Sequence, residues 1–280
     1  MNLAGHDIGV CSWSLKPKDS ADLVAMIKQL NLWHVQLALG PLIGLDLTER
    51  NAQIDQIRSA GIVITAGMIS FPGEDYSTIT RIRQTGGYVP DDLWPERRER
   101  TAIAAGICKD HGIKMLSAHA GFIPPSSGDT YTKMVERLSE VAALLEKGGV
   151  SLVMETGQES ASELLQFLND VKSRNVFVNF DPANMLLYGA GDPIEAISIL
   201  GRHIRHVHVK DAKESDQPGV TWGAEVPFGS GEVPVADFLT ALQQARYQGP
   251  LVIEREAGTT RAKDVQFATE TLKSAFAALP

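Results

Sequence analysis

Cysteine is scarce in this sequence, and its few positions form no recognisable motif. Cys11 and Cys108 are the only two among 280 residues, and they lie far apart in the chain. This usage excludes a disulfide-stapled scaffold and a C-x-x-C metal site. We therefore expect reduced thiols and a cytoplasmic protein.

Long apolar runs are absent as well. No run reaches the roughly 18 residues that a membrane span requires. The opening MNLAGHDIGVCSWSL lacks a charged segment followed by a long apolar stretch, the pattern of a secretory signal peptide. The sequence thus predicts no membrane partner.

Positive charge is in deficit. The chain has 26 Lys and Arg against 34 Asp and Glu, a formal charge of −8, and no basic block. Broad nucleic-acid contacts need clustered Lys and Arg to displace counterions. We expect a small-molecule partner and no nucleic acid, and the sequence leaves a homo-oligomer open.

Short apolar runs alternate with longer amphipathic segments along the chain, the pattern of repeated strand–helix units. The eight runs are 8–15, 34–39, 62–70, 114–121, 151–157, 176–184, 204–212 and 250–258. This number and length favour an α/β fold, a (β/α)8 TIM barrel in a single domain spanning 1–280. An open doubly wound sheet is the alternative, weakened because no G-x-G-x-x-G follows the first run.

One segment between the runs shows the helical period clearly. In 130–149, Met134, Leu138, Val141 and Leu145 are spaced by four, three and four residues, and Gly148 follows them. The spacing predicts an amphipathic helix whose apolar stripe faces the core.

The run HVHVKDAK, residues 206–213, carries several titratable side chains at the end of a predicted strand. Because successive side chains of a strand face opposite ways, His206, His208 and Lys210 share one face. We assign His206 to structure and His208 to the site. Lys210 and Asp211 are expected to form an ion pair, which either orients His208, binds a substrate hydroxyl group or lies solvated at the rim.

The carboxyl ends of the last four predicted strands each present one potential metal ligand. These are Glu155, Asp181, His208 and Glu254. In a barrel such ends converge at one mouth. Three carboxylates and one imidazole suit Mn²⁺, Mg²⁺ or Co²⁺, and zinc also accepts such ligands. A cap or an ion pair explains one such side chain, but four in succession predict a site for one divalent ion.

This ordered series, with the segment PFGSGEVPVADFLTALQQARYQGPLVIERE, resembles the xylose isomerase-like barrels, the sugar isomerase/epimerase superfamily that includes the ketose 3-epimerases. The resemblance implies that the four side chains hold one divalent ion. It also implies that Glu155 and Glu254 act on opposite sides of a sugar or keto-sugar as proton acceptor and donor, through an enediolate.

Further residues near the predicted mouth are candidates for substrate contact. They are Trp13, placed on the first strand, His119, Asn184, Lys210 and Glu256. Two long connections, 71–90 and 213–235, follow strands, and we expect the second to form a lid.

Two positions depart from the free-ketose 3-epimerases. Their D-x-x-H is Asp181-Pro182-Ala183-Asn184 here, and Glu214 stands where they carry a substrate-binding arginine. Free tagatose or psicose is therefore disfavoured as substrate. The alternatives are an inosose-type dehydratase on a keto-polyol, an endonuclease IV-like metal phosphodiesterase and a non-catalytic sugar-binding barrel. The acidic charge and Asn184 argue against the phosphodiesterase, and the two glutamates against the binding barrel.

Overall fold

The chain forms a closed barrel of parallel strands in a computed structural model that describes residues 1–279. The barrel strands are β1 His6–Cys11, β2 His34–Ala38, β3 Val63–Ile69, β4 Met115–Ala118, β5 Ser151–Glu155, β6 Val176–Phe180, β7 Ile204–Val209 and β8 Leu251–Ile253. Each strand pairs with the next in parallel, and β8 pairs with β1, which closes the barrel. The predicted (β/α)8 barrel is confirmed.

Helices surround the barrel. They are α1 Ser12–Leu15, α2 Ser20–Gln29, α3 Gly40–Ile43, α4 Leu47–Ser59, α5 Ile79–Thr85, α6 Trp94–Asp110, α7 Asp129–Glu146, α8 Ala161–Val171, α9 Pro182–Tyr188, α10 Pro193–Leu200, α11 Val235–Gln244 and α12 Arg261–Ala278. Short strands lie at Asn2–Leu3, Asp211–Lys213 and Ala224–Val226. Within residues 1–279, no helix combines the length and the apolar character that crossing a membrane requires.

The predicted amphipathic helix is α7. Met134, Leu138, Val141 and Leu145 are all buried in the main hydrophobic cluster. They pack with apolar side chains of the strands, so the layer between strands and helices forms the core.

All eight strands end before their predicted runs do, and in two of them a helix begins within the run. The first stops at Cys11, and Ser12–Leu15 forms α1. The sixth stops at Phe180 because Asp181 caps α9 and Pro182 occupies its first turn, where a missing N–H costs nothing. Trp13 and Asn184 are therefore helical residues at the barrel mouth, not strand residues.

The two long connections contain secondary structure of their own. The segment 71–90 includes α5. Within 213–235, the strand Ala224–Val226 pairs antiparallel with Asp211–Lys213. The carboxylate of Asp211 accepts hydrogen bonds from the backbone N–H groups of Gly229, Gly231 and Val233. Asp211 thus fastens this connection, and the ion pair expected between Lys210 and Asp211 does not form.

Strand β7 directs its two histidines into the barrel. His206 and His208 are fully buried with their ring centroids 5.8 Å apart, whereas Val207 and Val209 join the hydrophobic cluster outside. The ring nitrogens of His206 lie 3.0 Å from Oγ1 of Thr65 and 2.9 Å from Oδ1 of Asn179. Both polar atoms of His206 are satisfied, which fits a structural role.

Candidate active site

Four side chains from four successive strand ends converge at the barrel mouth. Nδ1 of His208 lies 3.4 Å from Oε1 of Glu155, 3.4 Å from Oδ2 of Asp181 and 3.3 Å from Oε2 of Glu254. All four side chains are buried, and one ligand atom from each lies within 4.8 Å of the others. The structure thus brings together every residue of the predicted ligand set.

The helix cap at Asp181 orients its carboxylate. Oδ1 of Asp181 accepts a hydrogen bond from the backbone N–H of Asn184, 2.9 Å away, in the first turn of α9. Such a cap satisfies one of the unpaired N–H groups at a helix start. The other oxygen, Oδ2, is left to face His208.

Gln36 on β2 sets the orientation of the His208 ring, and sequence analysis did not identify it. Its Oε1 lies 2.6 Å from Nε2 of His208, so that Nε2–H donates and Nδ1 faces the carboxylates. Metal-binding histidines commonly donate their second ring N–H in this way. The available signal was an amide within the apolar run HVQLAL, where a buried polar group needs a partner.

The donor set fits a divalent cation. Oε2 of Glu155 is buried and has no hydrogen-bond partner, which is costly for a carboxylate oxygen unless a cation or a ligand satisfies it. The cluster offers three carboxylates and one imidazole, which suit Mn²⁺, Mg²⁺ or Co²⁺. These residues can therefore hold a metal ion.

Lys210 is the nearest cation to this cluster. Its Nζ lies 2.8 Å from Oε2 of Glu254, 3.1 Å from Oε2 of Glu256 and 3.7 Å from Oδ2 of Asp181. It also donates to Oδ1 of Asn184 over 3.3 Å. The ammonium group thus balances the charge on one side of the cluster.

Charge balance keeps the two glutamates ionised. Burial raises the pKa of both carboxyl groups, but neighbouring positive groups outweigh it. Lys210 and His208 hold the pKa of Glu254 well below its usual value. His119 and His208 lower the pKa of Glu155. Both glutamates are thereby held in the form that binds a cation or accepts a proton.

Trp13 contacts a candidate catalytic residue directly. Its Nε1–H donates to Oε1 of Glu254 over 2.7 Å, and its ring lies edge-on to His208 at 6.2 Å between centroids. The sequence predicted only a contact between Trp13 and substrate. The hydrogen bond adds a second contact that orients Glu254.

Asn184 and His119 both contact the carboxylate of Glu155. Nδ2 of Asn184 donates to Oε1 of Glu155 over 3.0 Å, and Nε2 of His119 lies 3.6 Å from the same oxygen. The backbone at Gly157 makes this approach feasible. It has φ +130°, and a Cβ there would lie 2.4 Å from Cβ of Asn184.

Glu225 ties the 213–235 connection to the end of β8. It accepts hydrogen bonds from Nη1 of Arg255 at 2.7 Å and from the backbone N–H of Glu256 at 2.9 Å. Arg255 is held in turn by Asp264 of α12. The half-exposed Glu256 is thus positioned beside Lys210, at the pocket rim.

A pocket of about 560 Å³ opens above the cluster, a volume typical of small-molecule sites. All five candidate substrate residues line it: Trp13, His119, Asn184, Lys210 and Glu256. Its apolar wall, which sequence analysis missed, comes from Met68, Tyr76, Leu187, Tyr188 and Trp222. No local pattern singles these residues out, because they come from separate segments that meet only in the fold.

Comparison with known proteins supplies the family. A family model described as xylose isomerase-like TIM barrel matches residues 4–275. A solved xylose isomerase domain protein from Planctomyces limnophilus shares 33% identity, covers 90% of this chain and 91% of its own, and has a TM-score of 0.85. D-psicose 3-epimerase from Clostridium cellulolyticum H10 shares 16% identity over 96% of this chain and 99% of its own, with a TM-score of 0.74.

The chain is also similar to a curated dehydratase over part of its length. Inosose dehydratase from Clostridium perfringens is 24% identical over 160 residues. The match spans 52% of this chain and 54% of that relative, about half of each protein. The family model and the Planctomyces structure, each matching nearly the whole chain, show that this chain belongs to the xylose isomerase-like TIM-barrel family.

Proposed function

We propose that this protein is a divalent-metal-dependent isomerase or epimerase that acts on a sugar or keto-sugar through an enediolate. One observation carries the proposal. Glu155 from β5 and Glu254 following β8 approach the same nitrogen of His208, to 3.4 and 3.3 Å, beneath a pocket sized for a small molecule. Two carboxylates beside one cation site suit proton transfer next to a carbonyl group.

Glu155, Asp181, His208 and Glu254 would hold the ion. When bound, a divalent cation would polarise the substrate's carbonyl group and so make the adjacent C–H more acidic. Mn²⁺, Mg²⁺ and Co²⁺ are the candidates that the oxygen-rich ligand set supports.

The surroundings of the two glutamates differ, and this difference supports separate roles. Oε2 of Glu155 has no partner in the protein, which leaves it free to accept a proton from substrate. Glu254 is held at both oxygens, by Trp13 and by Lys210. We assign proton removal to Glu155, which then releases the proton to solvent. Glu254 takes up a proton from solvent and returns it to the carbon on the opposite side. In the reverse direction the roles exchange.

Dehydration of a keto-polyol is the second candidate, favoured by the similarity to inosose dehydratase. The same enediolate can expel a β-hydroxyl group instead of regaining a proton, so both reactions begin with the same base. The two activities differ in product: an isomer of unchanged mass, or a compound that has lost water.

The proposal is tested by incubating the Mn²⁺-loaded protein in D₂O with a panel of ketoses, aldoses, inososes, their phosphates and their aryl-substituted derivatives. Isomerisation or epimerisation gives an isomeric product that carries deuterium on carbon. Dehydration gives a product that is 18 mass units lighter than the substrate, before any deuterium is counted. Mass spectrometry distinguishes the two products. If no member of the panel exchanges a carbon-bound proton or loses water, the proposed function is wrong.

Metal binding is tested separately by calorimetric titration with Mn²⁺. We expect one equivalent to bind and to raise the melting temperature, since a ligand of the native state stabilises it. His208→Ala should abolish this binding. His206→Ala, an equally buried neighbour on the same strand face, should retain it. Parental affinity in both His208→Ala and Asp181→Ala would place the ion elsewhere.

A further inference from the structure

A second cavity, of about 320 Å³, adjoins the catalytic pocket. Trp13, Ala38 and Pro41 line both cavities, so the two cavities share these residues as a common wall. The second cavity lies between the Ser12–Ser20 segment, the end of β2 and helices α3 and α4. We call it the side cleft.

The side cleft has an apolar floor. Leu23, Leu37, Leu42 and Ile57 line it, and each is at most 5% exposed. Its charged residues, Lys16, Lys18 and Asp19, are exposed. Charge is therefore confined to the rim.

The polar groups that line the side cleft are largely engaged within the protein. Oγ of Ser12 accepts the backbone N–H of Ala38, and Oγ of Ser20 donates to Oε1 of Gln56. The carboxylate of Asp19 caps α2 by accepting the N–H of Asp22. A strongly polar occupant would find few hydrogen-bond partners at the floor, whereas an apolar group needs none.

We propose that the side cleft binds an uncharged aryl substituent carried by the substrate, so that the substrate is an aryl-substituted sugar or keto-sugar rather than a free monosaccharide. Because Trp13, Ala38 and Pro41 line both cavities, a group in the side cleft lies next to the reacting polyol and can be carried by the same molecule. An aromatic ring suits the apolar floor and can lie against the indole of Trp13. This inference rests on the proposed function.

The test uses methyl and phenyl β-D-glucoside as probes, which share a sugar and differ only in the substituent. Binding to the Mn²⁺-loaded protein is measured by calorimetry, which does not depend on turnover. We expect the phenyl glucoside to bind at least tenfold more tightly. Gln53→Trp, at the partly exposed rim of the side cleft, should fill it and remove this preference.

Ala52→Trp is the matched control, since Ala52 is exposed on the same helix and does not line the side cleft. It should keep the tenfold preference. Equal affinities, absence of binding by both probes, or a preference that survives Gln53→Trp would overturn the inference. Failure of the proposed function would appear differently, as absence of proton exchange and dehydration in the D₂O panel whatever the glucosides do.

Discussion

Nζ of Lys210 lies 2.8 Å from Oε2 of Glu254, and both side chains are buried at the barrel mouth. The same ammonium group reaches Glu256 and Asp181. Lys210 therefore supplies countercharge to two of the four residues that are proposed to hold the metal ion.

Replacing Lys210 by Met should destabilise the metal-free protein more than the metal-loaded protein. Breaking a buried ion pair typically costs about 3–5 kcal/mol, because the partner charge is left uncompensated. A bound divalent cation restores that compensation, so Mn²⁺ should recover much of the loss. Urea denaturation with and without Mn²⁺ measures both values. An equal loss in the two states would show that Lys210 does not balance the metal ligands.

Gln36→Leu should weaken Mn²⁺ binding without removing any ligand. The substitution deletes the oxygen that receives Nε2–H of His208. Loss of such a partner typically lowers metal affinity about 10–100-fold. Calorimetric titration measures the change, with Gln36→Glu as a variant that keeps an acceptor. Parental affinity in Gln36→Leu would mean that β7 alone orients the ring.

Within the 213–235 connection, we expect the stretch that carries Trp222 to act as the lid. The stretch from Glu225 onward is held in place by the hydrogen bonds of Glu225 and Asp211. Trp222 packs against Tyr188, with ring centroids 4.7 Å apart, in the apolar pocket wall. Trp222→Ala should lower kcat and raise KM on a substrate that the parent converts, with little change in melting temperature. Val220→Ala, at a 65% exposed position outside the pocket, is the control. Unchanged kinetics in Trp222→Ala would exclude this role.

The raised pKa of Glu159 should make the free energy of unfolding decrease as the pH rises. Burial, with a smaller contribution from Glu163, raises the pKa of Glu159 from 4.5 to about 8. The folded protein therefore keeps a proton that the unfolded chain releases. This contribution is complete below about pH 4.5 and declines toward pH 8, by at most about 1.4 kcal/mol per pH unit.

Glu159→Gln should flatten this dependence, because the amide stays neutral. Urea denaturation at pH 5 and pH 8 measures the difference, with Glu146→Gln at an exposed position as control. Equal pH dependence in the parent and Glu159→Gln would show that Glu159 is ionised in the folded protein.

The fold and the convergence of the four proposed ligands could be predicted because both leave local signals. Apolar runs mark the strands, and within their runs Glu155 and Glu254 each directly follow a stretch of apolar residues. Strand ends were less predictable. The run at 176–184 continues past the strand because the cap at Asp181 and Pro182 redirects the backbone while the side chains stay apolar.

The pocket wall could not be predicted for a different reason. Met68, Tyr76 and Trp222 come from distant segments, and only closure of the barrel brings them together. Asp211 shows the same limit. Its position beside Lys210 in sequence suggested an ion pair, but adjacent strand residues point apart, and its carboxylate binds backbone N–H groups of a later loop.

The central claim is that Glu155 and Glu254 transfer protons to and from carbon. Glu155→Gln and Glu254→Gln keep size and a metal-binding oxygen but remove the basic oxygen. On a substrate that the parent converts, the decisive measurement is the rate of deuterium incorporation from D₂O by each variant, loaded with Mn²⁺ and compared with the parent. We predict a loss of at least about 10²-fold in each, the effect typical of one general base. Near-parental exchange in both variants would contradict the account.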